Sequence, residues 1–100
     1  MKLREIAHTR SGDKGNISNI AIIAYRVEDF PLLQSGLTVE RVRDFFGPMV
    51  KGNIERFELP QLGALNFVLH DALAGGVTRS LAMDIHGKTL STVLLDIEIE

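Results

Sequence analysis

Cysteine is absent from this 100-residue chain. There is therefore no disulfide framework, no thiolate zinc site and no cysteine nucleophile, and stability must come from packing and hydrogen bonding. An excess of positive charge is also missing. Eleven basic against thirteen acidic residues leave a net charge of −2, which argues against a phosphate backbone as the main partner and so against nucleic acid. Long apolar runs are lacking too: the longest, residues 20–25, falls far short of the ~20 residues that span a bilayer. No apolar stretch follows the first five residues to make a signal peptide, so the expectation is a cytoplasmic protein with no membrane attachment. The three histidines do not stand at metal-ligand spacing, and no metal site is expected.

What is present suits one small domain over residues 1–100. A chain of this length buries roughly two-thirds of the surface it exposes when unfolded, enough for one core. The three prolines are scattered at 31, 48 and 60, and there is no repeat or linker. Residues 3–9 read as a strand ending in the turn-forming run Arg10-Ser11-Gly12-Asp13-Lys14-Gly15-Asn16. Residues 17–26 read as a buried strand because Ile20, Ile22 and Ile23 are β-branched.

Residues 29–35 read as a short helix, with Asp29 as cap, Pro31 in the first turn and Gly36 as the stop. Thr38 caps a second helix whose Val39, Val42 and Phe46 share a face, and Gly47-Pro48 ends it. Residues 53–59 alternate as a half-buried strand that Pro60 closes. Leu65, Val68, Leu69, Ala72 and Leu73 form a helical stripe, which predicts a core helix over residues 64–74 and sets Asn66 beside His70 at i and i+4. Residues 77–85 and 88–99 alternate about His86-Gly87 and predict a closing hairpin. Its last strand changes phase near Ser91-Thr92, by a bulge or because both faces are covered. The order β-β-α-α-β-α-β-β, with few helices, predicts an α+β two-layer sandwich of ferredoxin-like type: a mostly antiparallel sheet with helices on one face.

Two polar, glycine-containing segments are candidate chemistry. The first holds His8, Arg10, Ser11, Gly12, Asp13, Lys14 and Asn16; the second, after Gly75-Gly76, holds Thr78, Arg79 and Ser80. Arginine forks, hydroxyls and converging backbone N–H groups suit a carboxylate or phosphate. The spacing is not that of a P-loop. Either these are turns with solvated charges, or they meet, with Asn66 and His70, in one anion pocket. His8, Ser11 and Asp13 supply triad residue types without a nucleophile elbow, so no hydrolase triad is expected. Asp96, Glu98 and Glu100 read as a solvated strand face.

The opening Leu3-Arg4-Glu5-Ile6-Ala7-His8-Thr9-Arg10-Ser11-Gly12-Asp13-Lys14-Gly15-Asn16, the middle Val50-Lys51-Gly52 and Leu59-Pro60-Gln61-Leu62-Gly63-Ala64-Leu65-Asn66-Phe67, and the closing Gly75-Gly76-Val77-Thr78-Arg79-Ser80-Leu81 with Asp84 and His86-Gly87-Lys88 resemble one module along the whole chain. It is similar to the AtuA-like ferredoxin-fold domain, the C-terminal module of the acyclic terpene utilisation protein A family. The resemblance implies a free-standing copy and an association with acyclic terpene or branched acyl catabolism through coenzyme A thioesters, and it assigns no catalytic residue. The expected function is a small ligand-binding or accessory module for an acyl-CoA-like, carboxylate or phosphate ligand, with no resident cofactor and a coenzyme A thioester as the ligand to test. The alternatives are a homo-oligomeric subunit or one that docks to a larger, separately encoded protein, and a small enzyme using His8 or His70 as base with Arg10 or Arg79.

Overall fold

The computed structural model describes residues 1–14, 17–71 and 90–99. Among these residues four strands make one antiparallel sheet: β1 (Ala7–Lys14), β2 (Ile17–Ala24), β3 (Ile54–Leu59) and β4 (Ala64–His70), in the order β1-β2-β4-β3. Between β2 and β3 lie helices α1 (Phe30–Gly36) and α2 (Val39–Phe46), and a third helix, α3, spans Leu90–Leu94. Among the described residues no helix is long and apolar enough to cross a membrane.

Strand alternation decides which face is covered. Ala7, Ile20, Ile22, Ala24, Ile54, Leu65, Phe67 and Leu69 point to one side and are buried. Against them pack Phe30 and Leu33 of α1, Val42 and Phe46 of α2, and Leu90 and Leu94 of α3. This is the expected ferredoxin-like α+β sandwich with helices on one face. Helix α2 forms as its cap predicts, the Thr38 hydroxyl accepting from the Arg41 backbone N–H at 3.2 Å; in α1 Pro31 sits in the first turn as expected, but Asp29, expected as the cap, makes no side-chain capping bond.

Three local expectations are corrected. The first strand begins later and runs through residues 10–14, because Arg10 to Lys14 pair with Ala21 to Ile17 across a hairpin. Only residues 3–5 of the expected strand's start form a 3-10 turn. Residues 64–70 are strand β4, not helix. Leu65, Phe67 and Leu69 alternate into the core while β4 runs between β2 and β3, and the half-buried Val68 of the other face, standing between Leu65 and Leu69 in the chain, is what mimics a helical stripe.

Residues 90–94 are helix, not strand, which explains the phase change without a bulge. Leu90 and Leu94 are four apart and buried on a helix, while Ile97 and Ile99 are two apart and buried on extended chain. That extended chain runs along the N-terminus, with Leu3 N–H donating to the Ile97 carbonyl and Ile99 N–H to that of Met1, both at 3.0 Å. The acidic residues there are paired: Asp96 with Arg4, and Glu98 with the terminal ammonium at 3.0 Å. Such exposed pairs contribute little. The hairpin about His86-Gly87 lies outside the described residues.

Arg56 ties β3 to α1. Its Nε donates to the Leu37 carbonyl at 2.8 Å and Nη2 to that of Gln34 at 2.7 Å, satisfying carbonyls at the end of the helix. Nη1 donates to Glu58 at 2.8 Å, and Gln34 Nε2 donates to the same carboxylate at 3.0 Å. These hydrogen bonds, the one from Arg56 foremost, hold the Glu58 carboxyl below its ordinary 4.5, with slight desolvation opposing them. A lowered folded pKa stabilises above the unfolded value, and the stabilisation disappears as pH falls through the folded one. Glu58→Gln should therefore lower the melting temperature at pH 7 and approach wild type at a pH well below 4.5. An equal difference at both pH values would contradict this.

Candidate functional site

The face of the sheet opposite the helices carries the polar residues. In β1 these are His8, Arg10 and Gly12; in β2, Asn19 beside Ala21 and Ile23; in β4, Asn66, Val68 and His70; in β3, Glu55 and Phe57. Register puts Arg10, Ala21, Asn66 and Phe57 in one row across the four strands. Ala21 is the short residue in that row, so the guanidinium and the carboxamide look across it. Inter-strand spacing sets the Arg10 and Asn66 backbones about 10 Å apart, a gap two long side chains and one small ligand fill.

A depression of about 290 Å³ lies there, lined by Arg10, Ser11, Gly12, Asn19, Ala21 and Asn66. Gly12 leaves its floor bare, since a Cβ added to it would meet nothing within 4 Å. Arg4, Arg26, Arg41, Arg43 and Arg56 each engage a carboxylate or a carbonyl. Arg10 is exposed and has no such partner among the described residues. Its charge is therefore available to an anion, with the Asn19 and Asn66 amides beside it as donors.

His8 stands one row away, its ring stacked on Tyr25 at 5.4 Å and 25°. His70 is at the other end of β4. In a strand the i and i+4 residues share a face but lie about 13 Å apart, so the expected Asn66–His70 contact is corrected. His70 instead pairs with Glu55, Nε2 to Oε2 at 2.7 Å. Its backbone is held closely: Gly52 N–H donates to the His70 carbonyl at 3.0 Å, and His70 N–H to that of Asn53 at 2.9 Å. Arg43 Nη2 donates to the Gly52 carbonyl at 2.7 Å and fixes that segment from α2.

Of the residues expected at the site, the structure thus brings Arg10, Ser11, Gly12 and Asn66 together, and leaves His8 and His70 on the same face at a distance. Asp13 and Lys14 belong to β1, opposite Ser18 and Ile17 in register. Asn16, Thr78, Arg79 and Ser80 lie outside the described residues. Asn19 was missed by sequence reasoning; its signal was the two-residue alternation of residues 17–23, which puts Asn19 and Ala21 on the polar side of a strand whose even residues are buried. Among the described residues no group of three histidine, aspartate or glutamate side chains could hold a metal ion.

No curated protein and no solved structure matches this chain. The family model that matches does so over residues 1–100, the entire sequence, and the described sheet and helices agree with its ferredoxin-like description. The chain belongs to the AtuA ferredoxin-like domain family.

Proposed function

We propose that the open face of the sheet binds a small organic anion, a carboxylate or phosphate borne on an apolar chain. The observation that carries this reading is Arg10: a guanidinium without a partner among the described residues, over a bare glycine floor, with the Asn66 carboxamide across a short alanine and the Asn19 carboxamide on the strand between, opposite Gly12. Ile23, Val68 and the exposed Phe57 border the same rows, which suits a hydrocarbon tail beside the charged head. A coenzyme A thioester presents both chemistries, phosphate and acyl chain.

Calorimetric titration with short branched carboxylates, their coenzyme A thioesters and inorganic phosphate tests it. The expected result is saturable heat with one of these classes and about a tenfold loss of affinity for Arg10→Ala, the worth of one charge-assisted hydrogen bond. Arg26→Ala, altering an exposed arginine outside the depression, should bind as wild type. Absence of heat with every class, or equal binding by Arg10→Ala, would overturn the proposal.

A further inference from the structure

Among the described residues strand β3 ends the sheet, with β4 as its neighbour. Hydrogen-bond parity shows which of its groups are free. Ala24 N–H donates to the Gly63 carbonyl, and His70 N–H to that of Asn53, both at 2.9 Å. In an antiparallel ladder the direction alternates residue by residue, so odd residues of β4 bond to β2 and even ones to the odd residues of β3. The N–H and C=O groups of Ile54, Arg56 and Glu58 therefore point outward, and no partner for them exists among the described residues. Natural sheets commonly blunt such an edge with charged side chains, proline or a bulge; β3 has no proline or bulge, and its charges, Glu55, Arg56 and Glu58, are of both signs, which a second copy of the strand can complement.

We infer that this edge pairs with β3 of a second copy, antiparallel about a two-fold axis through Phe57, and so joins the two described four-stranded sheets into one. The axis must stand perpendicular to the sheet, which keeps like faces together and allows two central registers. In one, Arg56 lies opposite Arg56 of the partner subunit and Glu55 opposite the partner's Phe57, so like charges meet. In the other, each Arg56 lies opposite the partner's Glu58, and the two Phe57 side chains face each other on the open side. Opposite charges and aromatic pairs stabilise directly facing residues, whereas like charges there destabilise, so the second register is selected.

That register makes four backbone hydrogen bonds, through Arg56 and Glu58 of each copy, and sets Phe57 in a pair whose backbones approach most closely. It covers a ring that is now 48% exposed. There is room on the helix side: a groove of about 320 Å³, lined by Gln34, Thr38, Val39, Glu40, Arg56 and Glu58, runs beside the strand. The inference does not rest on ligand binding, since it is read by mass and amide protection rather than by heat.

Sedimentation equilibrium from about 5 to about 500 µM, which spans about two decades of dissociation constant, tests it. Wild type should pass toward twice its 11.1 kDa chain mass as concentration rises. Phe57→Glu, an exposed substitution that sets two carboxylates face to face, should weaken association at least tenfold. Hydrogen exchange on the unaltered protein gives an independent reading: the amides of Arg56 and Glu58 should slow with concentration while that of Phe57, already bonded to β4, should not. A wild-type mass of one chain throughout, or a dimer indifferent to Phe57→Glu with unprotected Arg56 and Glu58 amides, would overturn the inference.

Discussion

Phe67→Ala is expected to cost about 3–5 kcal/mol, the range for truncating a fully buried phenylalanine, and to lower the melting temperature by at least about 12 °C in a protein of this length. Phe67 is fully buried at the centre of β4, opposite Ile20 of β2 and Arg56 of β3. It is held by a neighbouring strand on each side and by the helices beneath, so the cavity cannot close by local collapse. Against a total stability of roughly 5–15 kcal/mol, the loss is a large share. Val68→Ala should cost about 1 kcal/mol or less, because Val68 is only partly buried and looks to the open face.

The pair of variants discriminates strand from helix. A helix over this segment would place Val68 in the apolar stripe with Leu65 and Leu69 and leave Phe67 off it; a strand reverses the two. Thermal melts of both proteins decide the matter, and a larger loss for Val68→Ala than for Phe67→Ala would refute the sheet assignment.

Gly52→Ala is expected to destabilise by about 3 kcal/mol, the upper part of the range for overpacking. A Cβ at this position would lie 2.7 Å from the His70 carbonyl oxygen and 2.9 Å from the His70 Cβ. Neither can rotate away, since one is backbone and the other is attached to it directly. The Gly52 segment must move, and with it the hydrogen bond to His70 and the one accepted from Arg43. Denaturant unfolding measures the energy, while the His70 imidazole resonances should shift as its contact with Glu55 loosens. Gly12→Ala, where the added methyl meets open space, should leave stability within about 0.5 kcal/mol of wild type. Equal losses at the two glycines would show that close approach to His70 is not what Gly52 provides.

Both results bear on how the site was legible. Arg10, Gly12 and Asn66 were legible in the sequence as chemistry-bearing residues, because guanidinium, glycine and carboxamide in polar surroundings are what an anion site uses. Their proximity was not. Asn66 meets Arg10 because β2 runs between them with Ala21 in the shared row, and that register belongs to pairing partners 45 residues apart in sequence, Ala21 and Asn66. A helical reading of residues 64–74 sent Asn66 toward His70 instead.

What the sequence by itself determined is whatever depends on neighbours along the chain: the Thr38 cap and the apolar face of α2, the stop at Gly36, the alternation of β3 up to Pro60, and the absence of any disulfide. The family, too, was legible, because its motifs are ordered along the whole length. Only the tertiary structure decided between helix and strand for residues 64–70 and 90–94. In both places the apolar spacing satisfies more than one period, and the choice falls to the partners: β2 and β3 flanking one segment, the underside of β1 receiving the other through Thr9 Oγ1, which donates to the Ser91 carbonyl at 3.0 Å. The same pairing turned one face of the sheet away from the helices, and so turned scattered polar residues into a surface with an available arginine on its β1 side.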